Sequence, residues 1–286
     1  MSGFEIDPQI DYDFNARESV ADFDAEFGKL IALSNRAMAD YPRQADIVFD
    51  ADSGSALDLY GVAEGRPVFL WIHGGYWRLG TKEGNAFAVP GLVSRDVAVA
   101  VMDYSLAPAV NLEQIVHEVR TAVAWLHREG PSMGLDARKI HVGGSSAGGH
   151  LSGAVLADGW RQDYGLPRDM IGAALALSGI YDLEPLLRTQ VNGWMNMDMG
   201  TVAALSPIRH IPEETDAHLI LSVGGKERDG FLRETQAFHE AWAAKGHRVT
   251  SVDMAACNHF DITGTLTQTE GKLVNATVAA IRAFHL

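Results

Sequence analysis

The chain has 286 residues, of which 47% are apolar and 21% charged, so it is not an intrinsically disordered protein and fits one large domain. Acidic residues outnumber basic ones, 37 to 23, and the net charge of −14 argues against partners such as nucleic acid or an anionic membrane surface. The single cysteine, Cys257, cannot form an internal disulfide, which fits a reducing, cytoplasmic setting.

The segment Met1–Asp7 has neither a basic nor an apolar stretch, so no signal peptide is expected. No run approaches the ~20 apolar residues of a membrane span. Residues 1–18 read as polar and irregular. Residues 19–39 read as a helix, with Val20, Phe23, Phe27, Leu30, Ile31 and Leu33 recurring at about 3.6-residue spacing. Tyr41-Pro42 stops it. Asp46–Ala51 and Ala56–Val62 read as two strands joined by Asp52-Ser53-Gly54-Ser55, a hairpin signal.

From Pro67 the pattern changes. Short apolar runs at Pro67–Ile72, Val97–Met102, Lys139–Val142, Ile171–Leu177, Leu219–Val223 and Val249–Val252 alternate with amphipathic segments. These include Leu112–His127, Ala147–Ala157, Phe231–Lys245 and Gly271–His285. Such alternation predicts βαβ units, an α/β fold and a buried, mostly parallel sheet. Residues 159–168 and 183–209 read as irregular, and the second stretch is a candidate lid. No repeat or linker divides the chain.

Gly144-Ser145-Ser146-Ala147-Gly148 is a G-x-S-x-G sequence between the strand-like Ile140-His141-Val142 and a helix-like run. A nucleophilic serine on a sharp strand-to-helix turn needs small neighbours, and the helix start behind it favours a developing oxyanion. Ser146 fits the pattern better than Ser145. His73-Gly74-Gly75-Tyr76-Trp77 follows the first long apolar run. Its glycines let backbone N–H groups turn inward, so Gly74, Gly75 and Ala147 are the expected oxyanion hole. His73 is read as structural, and Tyr76 and Trp77 as pocket walls.

A serine nucleophile needs a base, and the base needs an acid. Of the 11 histidines, His259 follows the last strand-like run and precedes the last helix, the place expected of the base. The acid should follow Leu219–Val223, where Glu227 and Asp229 both qualify. Asp229 is also a plausible helix N-cap, which makes Glu227 the better candidate and Asp229 the alternative acid.

The HGGYW loop, Asp103-Tyr104-Ser105-Leu106-Ala107-Pro108, the GGSSAGGHL turn, Ser178-Gly179-Ile180-Tyr181-Asp182-Leu183 and the NHFDI segment together resemble the arylformamidase-like branch of the α/β-hydrolases. That branch includes animal-type kynurenine formamidases and is related to the hormone-sensitive-lipase-like esterases. The resemblance implies an α/β-hydrolase fold over 1–286, with residues 1–40 and 183–209 forming a small cap. It implies Ser146 as nucleophile, His259 as base and Gly74, Gly75 and Ala147 as oxyanion donors. In the animal formamidases the acid is an aspartate, whereas the matching position here is Glu227.

The expected activity is hydrolysis of short-acyl aryl amides or esters through an acyl-enzyme. The alternatives are a general carboxylesterase and a catalytically inactive ligand-binding protein. Trp194, with Met195, Met197 and Met199, is expected to wall an aryl pocket. The expected partner is a small-molecule substrate, with no metal or organic cofactor. A homo-oligomer is left open.

Overall fold

The computed structural model describes residues 4–285. Met1–Gly3, part of the terminus read above for a signal peptide, and Leu286 lie outside the described residues. Eight strands form one sheet: β1 (Arg43–Val48), β2 (Ala56–Tyr60), β3 (Arg66–Ile72), β4 (Ala98–Met102), β5 (Leu135–Ser145), β6 (Ile171–Leu177), β7 (His218–Ser222) and β8 (Val249–Ser251). Their spatial order is β1-β2-β4-β3-β5-β6-β7-β8. The pairs β1–β2 and β2–β4 are antiparallel, and the pairs from β4 to β8 are parallel.

The helices are α1 (Pro8–Asp13), α2 (Phe23–Asp40), α3 (Val89–Val93), α4 (Leu112–Glu129), α5 (Ala147–Leu156), α6 (Asn192–Met195), α7 (Met199–Leu205), α8 (Asp229–Ala244), α9 (Asp261–Gly264) and α10 (Lys272–Arg282). They cover both faces of the sheet. Val68, Leu70 and Ile72 of β3 pack in one layer with α4, α5 and α8, while Phe69 and Trp71 pack in the other with α2, α3 and α10. Double coverage is why β4 and β6 read as unbroken apolar runs, and every residue of both is buried.

Several expectations shift: the strand read to Val62 ends at Tyr60, and residues 1–18, read as irregular, hold α1. The first hairpin strand runs from Arg43 to Val48, not from Asp46 to Ala51: it carries a bulge between Gln44 and Ile47 with Asp46 at φ +56°, and the chain is already turning at Asp50, whose carbonyl accepts from the Gly54 N–H at 2.9 Å. β5 runs on through Gly143 and Gly144, well past Val142. Those glycines are strand residues because nothing larger fits: a Cβ on Gly143 would lie 2.3 Å from the Phe69 ring, and one on Gly144 2.4 Å from the Gly148 carbonyl oxygen. Residues 183–209 hold α6, α7 and short 3₁₀ turns. Elements of four to seven residues complete too few turns to show a periodicity.

The helix read over 19–39 begins later, as α2 from Phe23, and only Ser19 of the expected start is helical, as the end of a 3₁₀ turn at Arg17–Ser19. The arm before α2 lies against the 184–205 segment. Asp7 N–H donates to the Arg188 carbonyl at 2.9 Å, Gln190 N–H donates to Asp11 Oδ1 at 2.8 Å, and Arg188 pairs with Asp7 at 2.9 Å.

Candidate active site

In a parallel sheet, the loops beyond the strand carboxyl ends gather on one side. Ser146 sits between β5 and α5 with φ +58° and ψ −119°, a backbone region that L-residues rarely adopt. Its N–H is held by the Leu177 carbonyl at 2.9 Å. Ser145 still belongs to β5 and pairs with Leu177, so the strained turn residue is Ser146. The turn is tight because a Cβ on Gly148 would lie 2.0 Å from the Ile72 carbonyl oxygen.

The loop after β3 faces the same turn. A Cβ on Gly74 would lie 2.7 Å from the Ser145 carbonyl oxygen and 3.3 Å from Ser146 Cβ, and Gly75 has φ +104°. Neither the Gly74 nor the Gly75 N–H has an acceptor among the described residues. Ala147 is the first residue of α5, so its N–H has no acceptor within the helix. His73 lies behind this loop, fully buried, with Nδ1–H donating to the Gly74 carbonyl at 2.8 Å. Its ring stacks on Tyr104 at 4.0 Å, and the Tyr104 hydroxyl donates to the His73 carbonyl at 3.0 Å. Burial lowers the His73 imidazole to about 4, against the opposing effect of its Gly74 bond, so the ring is neutral at pH 7.

His259 and Glu227 come together behind the cavity. His259 Nδ1–H donates to Glu227 Oε2 at 2.5 Å, which leaves Nε2 free to take a proton. Both are buried, at 5% and 7% exposure, and Phe231 shields the imidazole with its ring 4.4 Å away. Glu227 Oε1 accepts from Ser178 Oγ and from the Gly224 N–H, each at 2.6 Å. Asp229 makes no such contact; it is exposed in the first turn of α8. It is not the helix cap either, since α8 starts at Asp229 itself, two residues before Phe231, and Arg228 takes the cap position.

Ser146, His259, Gly74, Gly75 and Tyr76 line one cavity of about 560 Å³. Trp194 lines it too, its indole donating to the Tyr76 carbonyl at 3.2 Å. Ser146 and His259 both face this cavity without a hydrogen bond between them. The expectation that Trp77 walls the pocket is corrected. Trp77 is fully buried, packed in the core layer that holds α4 and α5, with its indole edge-on to His150 of α5 at 5.1 Å. The three methionines are corrected as well. Met195 and Met197 are buried in the core, where the Asn192 side chain binds back to both the N–H and the carbonyl of Met197, and Met199 is exposed.

Sequence reasoning missed a further wall. Phe14, Phe23, Phe27, Leu30 and Phe260 also line the cavity, together with the loop after β3. Phe23 stacks with Phe27 at 5.8 Å and meets Phe260 edge-on at 5.3 Å. The helical periodicity of Phe23, Phe27 and Leu30 was legible, but not that α2 borders this cavity. Ser178 was also missed. Its signal was position: it directly follows β6, beside the strand that carries Ser146. Arg78 adds a cation to the lining, its guanidinium 5.0 Å above the Trp194 ring. Among the described residues, no group of three or more His, Cys, Asp and Glu is placed to hold a metal ion. Among them too, no helix is long and apolar enough to cross a membrane.

The sheet order, the strained strand-to-helix serine and the buried carboxylate–imidazole pair define a hydrolase of the α/β-hydrolase fold. The chain belongs to the BD-FAE family, whose model matches residues 57–227. It is similar to a kynurenine formamidase of Danio rerio, with 27% identity over 224 residues, 76% of this chain and 74% of that protein. A kynurenine formamidase of Salmo salar is 28% identical over 225 residues, with the same coverage. These likenesses bear out the arylformamidase-like resemblance read from the motifs. Among solved structures, a proposed thioesterase from Silicibacter sp. TM1040 superposes with a TM-score of 0.75 at 27% identity, covering 95% of this chain and 99% of that one. An esterase of Pyrobaculum calidifontis shares the fold, with a TM-score of 0.74 at 17% identity over 92% of each chain.

Proposed function

We propose that this chain is a serine hydrolase that cleaves short-acyl aryl amides or esters, in the manner of an arylformamidase. The observation that carries the reading is the buried Glu227–His259 pair, 2.5 Å apart, set behind a cavity into which Ser146 projects from a strained turn. In this reading His259 Nε2 takes the Ser146 hydroxyl proton as Oγ attacks the carbonyl carbon. The oxyanion is held by the N–H groups of Gly74, Gly75 and Ala147. His259 then gives its proton to the departing amine or alcohol, leaving the acyl group as an ester on Ser146. Water, deprotonated by His259, releases the acid.

The aryl part of the reading is supported by the Phe23, Phe27 and Phe260 wall, by Trp194, and by the names of the kynurenine formamidase relatives. A cavity of about 560 Å³ is larger than a formyl anilide needs, which favours a second reading as a carboxylesterase on a wider range of short esters. The unpaired Cys257 fits work in a reducing cytoplasm. The deciding experiment sets N-formyl aryl amines against aryl esters of graded acyl length and against alkyl esters. Highest kcat/KM on formyl or acetyl aryl substrates supports the proposal. Best turnover of long-chain esters, or no turnover of any, refutes it.

A further inference from the structure

Glu227 is held by more than its histidine. Oε2 takes the His259 Nδ1–H, while Oε1 takes two donors at 2.6 Å, the Ser178 hydroxyl and the Gly224 N–H. We propose that Ser178 is a positioning residue that, together with the Gly224 N–H, forms a cradle holding the triad acid, and that this cradle is matched to glutamate and not to aspartate. The proposal rests on the reading of Ser146, His259 and Glu227 as a triad.

Both donors are fixed by the sheet and not by the acid. Ser178 is the first residue after β6, and its N–H is tied to the Ser222 carbonyl at the end of β7 at 2.8 Å. Gly224 lies just past β7 and bridges to Met254 beyond β8. A Cβ on Gly224 would lie 2.5 Å from the Cys257 carbonyl oxygen, so the chain leading to His259 closes directly over it. Ser178 also has φ +48°, where glycine or asparagine is the easier residue. Packing does not call for a serine there; the carboxylate does. The hydroxyl is fully buried and donates to Glu227.

The Glu227 N–H donates to the Gly224 carbonyl at 3.1 Å, so a tight turn sets where its side chain begins. From that origin the carboxylate must reach two donors on one side and the imidazole on the other. An aspartate would be shorter by one C–C bond, about 1.5 Å. It would have to give up either the cradle or the histidine.

The experiment measures kcat, KM and melting temperature for Ser178→Gly, Glu227→Asp and Glu227→Gln, and for Ser178→Gly combined with Glu227→Gln. Glycine accepts the positive φ, so Ser178→Gly should keep the melting temperature. Losing a hydrogen bond to a charged group should lower kcat by about ten- to a hundredfold, with KM changed by less than about twofold. Glu227→Asp should lose kcat on a similar scale although its charge is retained. In the Glu227→Gln background, Ser178→Gly should cost less than about threefold, because the hydroxyl acts through the carboxylate. An unchanged kcat in Ser178→Gly, a multiplicative loss in the double variant, or a loss that tracks a falling melting temperature would overturn the cradle. Wild-type kcat in Glu227→Asp would overturn its preference for glutamate. Ser146→Ala, measured in parallel, tests the triad itself: near-normal turnover there sinks the underlying reading whatever the Ser178 variants do.

Discussion

The Tyr76 hydroxyl donates to the Phe14 carbonyl, fastening the loop after β3 to the arm that precedes α2. Burial pushes the phenol well above its ordinary value, so the donor hydrogen stays in place. Tyr76 has φ +49°, and its own carbonyl accepts from Trp194. One loop residue thus ties together the loop after β3, the N-terminal arm and α6. Removing only the hydroxyl, in Tyr76→Phe, should raise KM for aryl substrates severalfold and change the melting temperature little, because it cuts the link without opening a core cavity. An unchanged KM would show that the link does not shape the site.

Ser146→Ala should lower kcat by several orders of magnitude, and a fluorophosphonate probe should label Ser146 alone. Glu227→Gln should damage turnover far more than Asp229→Asn, since only Glu227 meets the imidazole. Labelling at Ser145, or a larger loss in Asp229→Asn, contradicts the assignment.

The two tryptophans should separate cleanly. Trp77 is fully buried, so Trp77→Ala should destabilise the fold by about 3–5 kcal/mol in a urea titration. Trp194 lines the cavity and is only part-buried, so Trp194→Ala should raise KM for aryl over alkyl esters with a much smaller loss of stability. The reverse pattern would place the substrate elsewhere.

A pH-dependent stability difference should arise from Glu234. This side chain is 8% exposed and accepts from the N–H groups of Tyr181 and Asp182 at 2.7 and 2.8 Å. Burial raises its carboxyl to about 7, with the negative charge of Asp182 adding to the rise, while the two N–H donors and Arg233 oppose it. The folded value lies above the unfolded one, so the stabilisation is complete below the ordinary glutamate range and is lost as pH rises to about 7. Relative to Glu234→Gln, the wild type should lose roughly 2–3 kcal/mol between pH 4.5 and 7.5, at about 1.4 kcal/mol per pH unit. Parallel stability curves for the two proteins would count against it.

Lys82 closes the loop that begins at His73. It is 4% exposed, its ammonium 2.8 Å from Asp46 and 3.0 Å from the buried Asp58, and its N–H donates to Asp103 at 2.7 Å. Lys82→Met should cost about 3 kcal/mol of stability, since it leaves Asp58 with Arg43 as its one remaining cation. A thermally neutral Lys82→Met would show that Arg43 suffices.

Much of the local structure was legible in the sequence. Ile171–Leu177 coincides with β6, and Leu112–His127 falls within α4, because a long buried element imposes a period that side chains cannot hide. The strand–serine–helix turn was legible because its crowding admits only small residues at Gly144 and Gly148. Glu227 was preferred to Asp229 on a helix-cap argument; the carboxylate contact favours the same residue, although the cap itself falls on Arg228. What the sequence could not decide was how loops far apart in the chain meet. Trp77 and Trp194 look equally suited to a pocket, yet one packs into the core and the other lines the cavity, because the neighbours each meets in the folded chain, and not composition, decide it. The Phe23 and Phe27 wall, and the Ser178 hydroxyl on Glu227, depend on α2 starting, and β6 ending, close to the same cavity. That convergence follows from the order of strands in the sheet, a property of long-range packing that no local pattern encodes.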